Sequence, residues 1–269
     1  MEKINFYMVQ DIFLNESARY ADVVLPAASF AEKDGTFTNT ERRVQRVRKV
    51  IQPVGDSKAD WWIACEIAKR MGASGFGFDH PTEIMDEINR VTPSYAGITY
   101  DRIEDNGLQW PCTNMDHEGT VYLHGDRFKT SSGKGRFMPL EYRESAELPD
   151  EEYPLILTTD RSLYHFHTST MTRKVEGLEA LHKEELLMIN PVDSDKIGIE
   201  SGDMVEVSSR RGKIRVRTKV TDVCPPGVVS MTFHFFESPV NELTNAALDP
   251  LAKIPETKVC AVRVSKMLE

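Results

Sequence analysis

Apolar residues change their spacing along this chain, and the change divides it. From 151 to 269, apolar runs at 154–159, 186–189, 203–209, 213–220, 228–235 and 258–264 are punctuated by Gly202, Gly212, Pro225-Pro226-Gly227 and Pro255. Short strands separated by turns give that pattern. In KIRVRTKV, Ile214, Val216, Thr218 and Val220 share one side and the basic residues take the other, as in a strand with one buried and one solvated face. One short helix interrupts the strands, with Asn190 as N-cap, Pro191 at the first position and Gly198 at the end. Six strands and one helix predict a closed barrel, because closure removes unpaired edges.

Residues 1–72 carry α/β signals. ADVVLPA, residues 21–27, reads as a buried strand running into a loop. DSKADWWIACEIAKRMG, residues 56–72, reads as a helix with Ala64, Ile67, Ala68 and Met71 on its inner face and Gly72 as the cap. Asp60 and Trp61 lie in its first turn. Residues 73–150 have no sustained period beyond one helix from Pro81 to Thr92, with Ile84, Ile88 and Val91 on one face. LQWPC and SSGKGRF have turn chemistry, and the acidic ESAELPDEEYP reads as a linker with a boundary near 150. The expected order is therefore an α/β segment over 1–72, an irregular connection over 73–150, and a barrel over 151–269.

At 269 residues, 40% hydrophobic and 28% charged, the composition is that of a globular protein. No apolar run reaches the roughly 18 residues of a membrane span. No secretory signal is visible at the start, and a cytoplasmic location is the expectation. The four cysteines, at 65, 112, 224 and 260, form no Cys-x-x-Cys pair, so zinc-ribbon and iron–sulfur spacings are missing and buried free thiols are expected. A net charge of -9 argues against general nucleic-acid binding. Two basic blocks, Arg42 to Lys49 and Arg210 to Lys219, keep a nucleic-acid-binding barrel as an alternative. SSGKGR lacks the first glycine of a phosphate loop, because Phe128 and Lys129 stand where it would fall.

LTTDRSLYHFHTSTMTR, residues 157–173, begins as a strand and ends as a run of cations and hydroxyls. Between Arg161 and Val175 there is no acidic residue. On an extended strand His165 and His167 would share a face, and with His234 could make a three-histidine metal site. Arg161 and Arg173 would repel a cation there. The preferred reading is a hydrogen-bonding loop for an anionic, multiply polar ligand, since Arg offers a bidentate fork to phosphate and hydroxyls add neutral donors.

ADVVLPAASFAEKDGTFTNTERRVQRVRK, KADWWIACEIAKRMG, ITYDRIEDNGLQWPC, HFHTSTMTR, INPVDSDKIGIESGDMVEVSSRRGKIRVRTKVTD and NELTNAALDPLAKIPETKVCAVRV together resemble the large subunit of formate dehydrogenase. That family belongs to the oxidoreductases carrying molybdenum or tungsten on a molybdopterin guanine dinucleotide pair. The resemblance implies a partial Rossmann-like α/β segment followed by a six-stranded β-barrel of the double-psi type, closing the site around the cofactor. It implies cofactor binding by Thr158, Arg161, His165 and His167, with Asn241 and Lys258 near the pterin rings and Asp60 on the guanine edge. The family's iron–sulfur motif, its Cys or selenocysteine metal ligand and its formate-handling His and Arg have no match here. The expected role is the carboxy-terminal part of a larger subunit, inactive alone. The expected partners are the N-terminal remainder and an electron-transfer iron–sulfur or flavin subunit, with formate as substrate and no nucleic acid. A related molybdopterin oxidoreductase or a non-catalytic subunit is the alternative within the same resemblance.

Overall fold

A computed structural model describes residues 3–267. They form two compact units, one up to Met138 and one from Pro139 onward.

In the first unit, β1 (Met8–Asp11) and β2 (Val23–Pro26) make a two-stranded parallel sheet. ADVVLPA is a strand as expected, but Val23 and Val24 are each 37% exposed. Among the described residues β1 has no other neighbour in its sheet, so its outer edge is left without a strand partner. Ala27 bridges in parallel to Lys58, which delivers the chain into α1 (Asp60–Arg70).

Helix α1 has the predicted extent and a different inner face. Ile63 and Cys65 are buried, whereas Ala64 is exposed and Met71 is 81% exposed. Its first turns, DWWIAC, are apolar nearly all round, so the contact made with the rest of the unit selects the inner face, not the spacing. Gly72 follows in the left-handed region at φ 81° and donates to the Lys69 carbonyl at 3.0 Å, a conformation that suits glycine.

A three-stranded antiparallel sheet escaped the sequence reading: β3 (Gly35–Thr38), β4 (Arg43–Val47) and β5 (Leu108–Gln109). Helix α2 (Pro81–Val91) buries Met85 and leaves Val91 70% exposed. Val44, Met85, Ile98, Tyr100, Ile103 and Cys112 form the core here. The first basic block is strand β4 and its flanks, and it is consumed internally. Arg46 and Arg48 pair with Glu104, Arg43 with Glu41, and Arg42 donates to the carbonyls of Trp110, Thr120 and Val121.

In the second unit β6 (Leu155–Asp160), β7 (Leu186–Ile189), β8 (Met204–Ser208), β9 (Lys213–Val220), β10 (Val228–Thr232) and β11 (Cys260–Lys266) close a barrel in the order β10-β6-β11-β8-β9-β7. The expected six-stranded barrel is therefore present. The pairs β10–β6 and β7–β9 are parallel and the other four antiparallel. Strand β9 alternates as its sequence predicted, with Ile214, Val216 and Thr218 buried. Leu157, Leu187, Ile189, Val205, Val207 and Met231 are fully enclosed in the barrel core. Two short helices, α3 (Glu176–Leu181) and α4 (Pro191–Ile197), lie between strands. The Asn190 side chain caps α4 by accepting from the Val192 N–H at 3.0 Å.

Four of the six cations of the second basic block are also paired. Arg210 and Arg211 share Glu147, Arg217 meets Glu184, and Lys213 meets Glu206. With most of both blocks committed to internal partners, the nucleic-acid reading loses most of the residues that motivated it. All four cysteines are buried free thiols, and no described helix is long and apolar enough to cross a membrane.

The acidic stretch expected as a linker belongs to the barrel unit, where Glu147 is a half-buried hub. Besides the two arginines it accepts the Ala261 N–H at 3.0 Å. Burial would raise its pKa, but the bonds from Arg211, Ala261 and Arg210 outweigh it and hold the carboxyl at about 2. A lowered carboxylate pKa stabilises the fold above the ordinary value of 4.5, and that contribution is lost as pH falls toward about 2. Glu147→Gln should lower the unfolding free energy at pH 7 by up to about 3 kcal/mol. In denaturant titrations the deficit against the unsubstituted chain should shrink steadily as the pH is taken down to 3.

Candidate functional site

Strand pairing gathers the predicted residues of the second unit at one end of the barrel. Parallel β6 and β10 end in register, Asp160 opposite Thr232, so the chains leave them side by side. Antiparallel β11 pairs Cys260 with Leu157, which brings Lys258 to the same end. There the Lys258 ammonium donates to the Thr159 carbonyl, and the Thr159 hydroxyl donates to the Thr257 carbonyl at 3.0 Å. The turn between β8 and β9 joins this rim, because the Arg211 guanidinium donates to the Leu243 carbonyl at 2.8 and 3.0 Å. That places the single turn Val240–Glu242, with exposed Asn241, beside it. Thr158, half-buried, sits on β6 two residues before its end.

The rim residues differ in how free they are. Arg161 is exposed, its guanidinium 5.7 Å from the Phe233 ring centroid, and no carboxylate among the described residues pairs with it. His167 is exposed at φ 48°. His165 is buried at 6% exposure, with Nδ1 3.0 Å from the Thr172 hydroxyl and Nε2 on the His182 carbonyl. Its ring is therefore occupied inside the loop, where it ties Thr172 to the His182 carbonyl. The segment is not an extended strand at these histidines: His167 and Ser169 are both left-handed, so the two side chains go to opposite environments.

The acid-free run in sequence is not acid-free in space. Arg173 is clamped by Glu179 and Glu237, at 3.2 and 2.9 Å, while Phe235 and Phe236 lie under its guanidinium at 5.0 and 5.8 Å. Neither acid was legible as a partner, because they lie 6 and 64 residues away. His234 is 1% exposed and both its ring nitrogens are engaged by backbone, by the Ser162 N–H at 2.8 Å and by the His167 carbonyl. No nitrogen of His234 is left for a metal, and no cluster of three or more ligating side chains is formed by the described residues. Burial, first, holds the His234 and His182 rings below the ordinary histidine pKa.

In the first unit Asp60 opens α1, beside the end of β1. It accepts from the Gln10 side chain at 2.6 Å and pairs with Lys33. Burial acts to raise its pKa, the hydrogen bonds from Lys33 and Gln10 act against it, and the balance leaves the carboxyl lowered. An ionised, half-exposed carboxylate at the carboxyl end of parallel strands is suited to accept from adjacent N–H donors of a ligand.

Sequence reasoning missed Glu185. Only 4% exposed, it accepts from the Thr232 N–H at 2.8 Å and the Thr232 hydroxyl at 2.5 Å, at the end of β10. Burial pushes its pKa up to about 7 against those bonds. A glutamate directly before a run of apolar residues, LLMI, was the available signal.

Residues 155–261 match the family model described as Molydopterin dinucleotide binding domain, and residues 1–70 match that of Molybdopterin oxidoreductase. The chain belongs to the molybdopterin oxidoreductases. Within them it corresponds to the carboxy-terminal part of formate dehydrogenase large subunits. It is 50% identical over 268 residues to the F420-dependent formate dehydrogenase subunit alpha of Methanocaldococcus jannaschii, covering 99% of this chain and 40% of that protein. With formate dehydrogenase H of Escherichia coli the identity is 37% over 272 residues, covering 100% of this chain and 38% of that protein. Acetylene hydratase from Pelobacter acetylenicus shares the fold with a TM-score of 0.73 at 19% identity, covering 98% of this chain and 40% of that one. The chain thus spans about 40% of the length of the curated formate dehydrogenase subunits it matches.

Glu185 has a raised pKa, so its contribution to stability is fully present below 4.5 and is lost as pH rises through about 7. Glu185→Gln should flatten the fall in stability across that window, by up to about 3 kcal/mol between its ends. Denaturation midpoints at pH 5 and pH 8 check this; an unchanged difference between them would show that the carboxyl is ionised throughout.

Proposed function

We propose that this chain is the cofactor-gripping part of a formate dehydrogenase large subunit, acting in a larger assembly that oxidises formate to carbon dioxide. The observation that carries the reading is the barrel rim: Arg161 without a carboxylate partner, Lys258, Asn241 and exposed hydroxyls meet at one end of a fold matched to dinucleotide binding. In an acidic protein, a cation at such a rim without a carboxylate partner suits a pyrophosphate-bearing ligand.

The donor chemistry fits a molybdopterin guanine dinucleotide. Arg161 would take phosphate or pterin oxygens, His167 and Thr158 would add further hydrogen bonds, and His165 would hold the loop. Asn241 and Lys258 would face the pterin rings, the amide serving as both donor and acceptor. Asp60 would accept the adjacent N–H groups of guanine. When bound, the molybdenum or tungsten of the cofactor supplies the two-electron chemistry. This chain's residues bind and orient the pterin and set its electrostatic surroundings.

The partner is the polypeptide that makes up the rest of the relatives' length, together with an electron-accepting subunit and iron–sulfur clusters held elsewhere in the assembly. The open β1–β2 sheet supports a partner, since parallel sheets are ordinarily covered on both faces. The Tyr7 and Asp11 carbonyls accept from the β2 side, so by alternation the Met8 and Gln10 backbone groups face the outer edge.

In the purified assembly, Arg161→Ala should lower pterin content or raise pterin loss on dilution by roughly tenfold to a hundredfold, the worth of a charge-assisted hydrogen bond. Unchanged pterin content with this substitution and with Lys258→Ala would remove the rim from the site. In the same assembly the Met8 and Gln10 amides should exchange hydrogen slowly, at the rate of paired strand residues.

A further inference from the structure

We propose that His234 is the positioning residue of the rim loop: its neutral ring, protonated on Nδ1, holds residues 162–169 in the shape that presents Arg161 and His167. The proposal rests on the reading of the rim as a cofactor site and adds a residue that touches no ligand itself.

Hydrogen-bond roles leave one tautomer. The Ser162 N–H can only donate, so Nε2, 2.8 Å away, must accept. The His167 carbonyl can only accept, so Nδ1 must carry the proton. The same residue makes a third tie, because the Ser169 hydroxyl donates to the His234 carbonyl at 2.7 Å. His234 and Ser169 are each 1% exposed, so water does not substitute for these bonds at low cost.

Three ties at 162, 167 and 169 bracket the part of the loop with the least intrinsic preference for its conformation. His167 and Ser169 have φ of 48° and 59°, a region non-glycine residues enter at a cost. An outside restraint has to hold them there, and His234 touches both ends of that strained stretch. Through the peptide bond to Phe233, which lies under the Arg161 guanidinium at 5.7 Å, the same short segment also backs the ligand-facing cation. His165 fixes the loop's interior from the other side through Thr172 and His182.

The test compares the unsubstituted assembly with His234→Phe, which keeps a ring and deletes both nitrogens, and His234→Gln, whose carbonyl oxygen can reach the Ser162 N–H. Yield of assembled complex and its far-ultraviolet circular dichroism establish that each variant folds. Two quantities are read: hydrogen exchange over residues 158–172 and bound pterin per assembly. With Phe, exchange in the loop should accelerate and bound pterin fall by roughly tenfold, the equilibrium equivalent of one or two net hydrogen bonds. With Gln, the Ser162 amide should regain protection and pterin should partly recover.

Unchanged exchange in the Phe variant would overturn the anchor. A loosened loop with full pterin would overturn its service to the ligand. An unsubstituted assembly without any pterin would instead overturn the functional reading, and the exchange rates would then decide on the anchor by themselves.

Discussion

The parallel pairing of β6 with β10 is the constraint on which the barrel's chemistry depends. Two parallel neighbours must leave their sheet at the same level, so whatever follows each strand is delivered to one place. Here that is the arginine and histidine loop after Asp160 and the Phe-His-Phe segment after Thr232. Antiparallel β11 enters where β6 leaves, adding Lys258. Residues separated by up to about a hundred positions in sequence thus share a rim without any local motif to announce it.

Charge on this protein is organised by exclusion. A chain of net charge -9 places its arginines mostly against carboxylates or carbonyls: Arg46 and Arg48 on Glu104, Arg173 between two glutamates, Arg210 and Arg211 on Glu147. Arg161 has an aromatic ring beside it in place of an acid. A guanidinium over a ring keeps its donors available to a third party while its position is still defined. Below the same rim, Glu185 shows the opposite treatment, a carboxyl buried among neutral donors and kept from ionising until near neutral pH.

The strands of the barrel were legible because each carries an apolar run bounded by turn residues, and β9 betrayed both its faces. The cap residues Asn190, Gly198 and Gly72 were legible for the same local reason. The inner face of α1 was not, since a nearly all-apolar first turn offers no stripe to choose, and the β3–β4–β5 sheet was hidden behind a basic block that looked like surface. Of the candidate site, sequence reasoning named the rim's residue types but not their states. That His165 turns inward while His167 turns out depends on two left-handed residues, and that Arg173 is neutralised depends on Glu237, 64 residues away. Such facts reside in tertiary contacts, which no spacing encodes.

The outer margin of β1 carries a further consequence. It presents outward peptide groups beside the exposed Met8 side chain, the arrangement that recruits any compatible extended segment in solution. Left uncovered, that margin would find the nearest match in other copies of this polypeptide, stacking margin to margin. Keeping copies apart therefore matters as much to recovering usable material as the intrinsic firmness of the barrel.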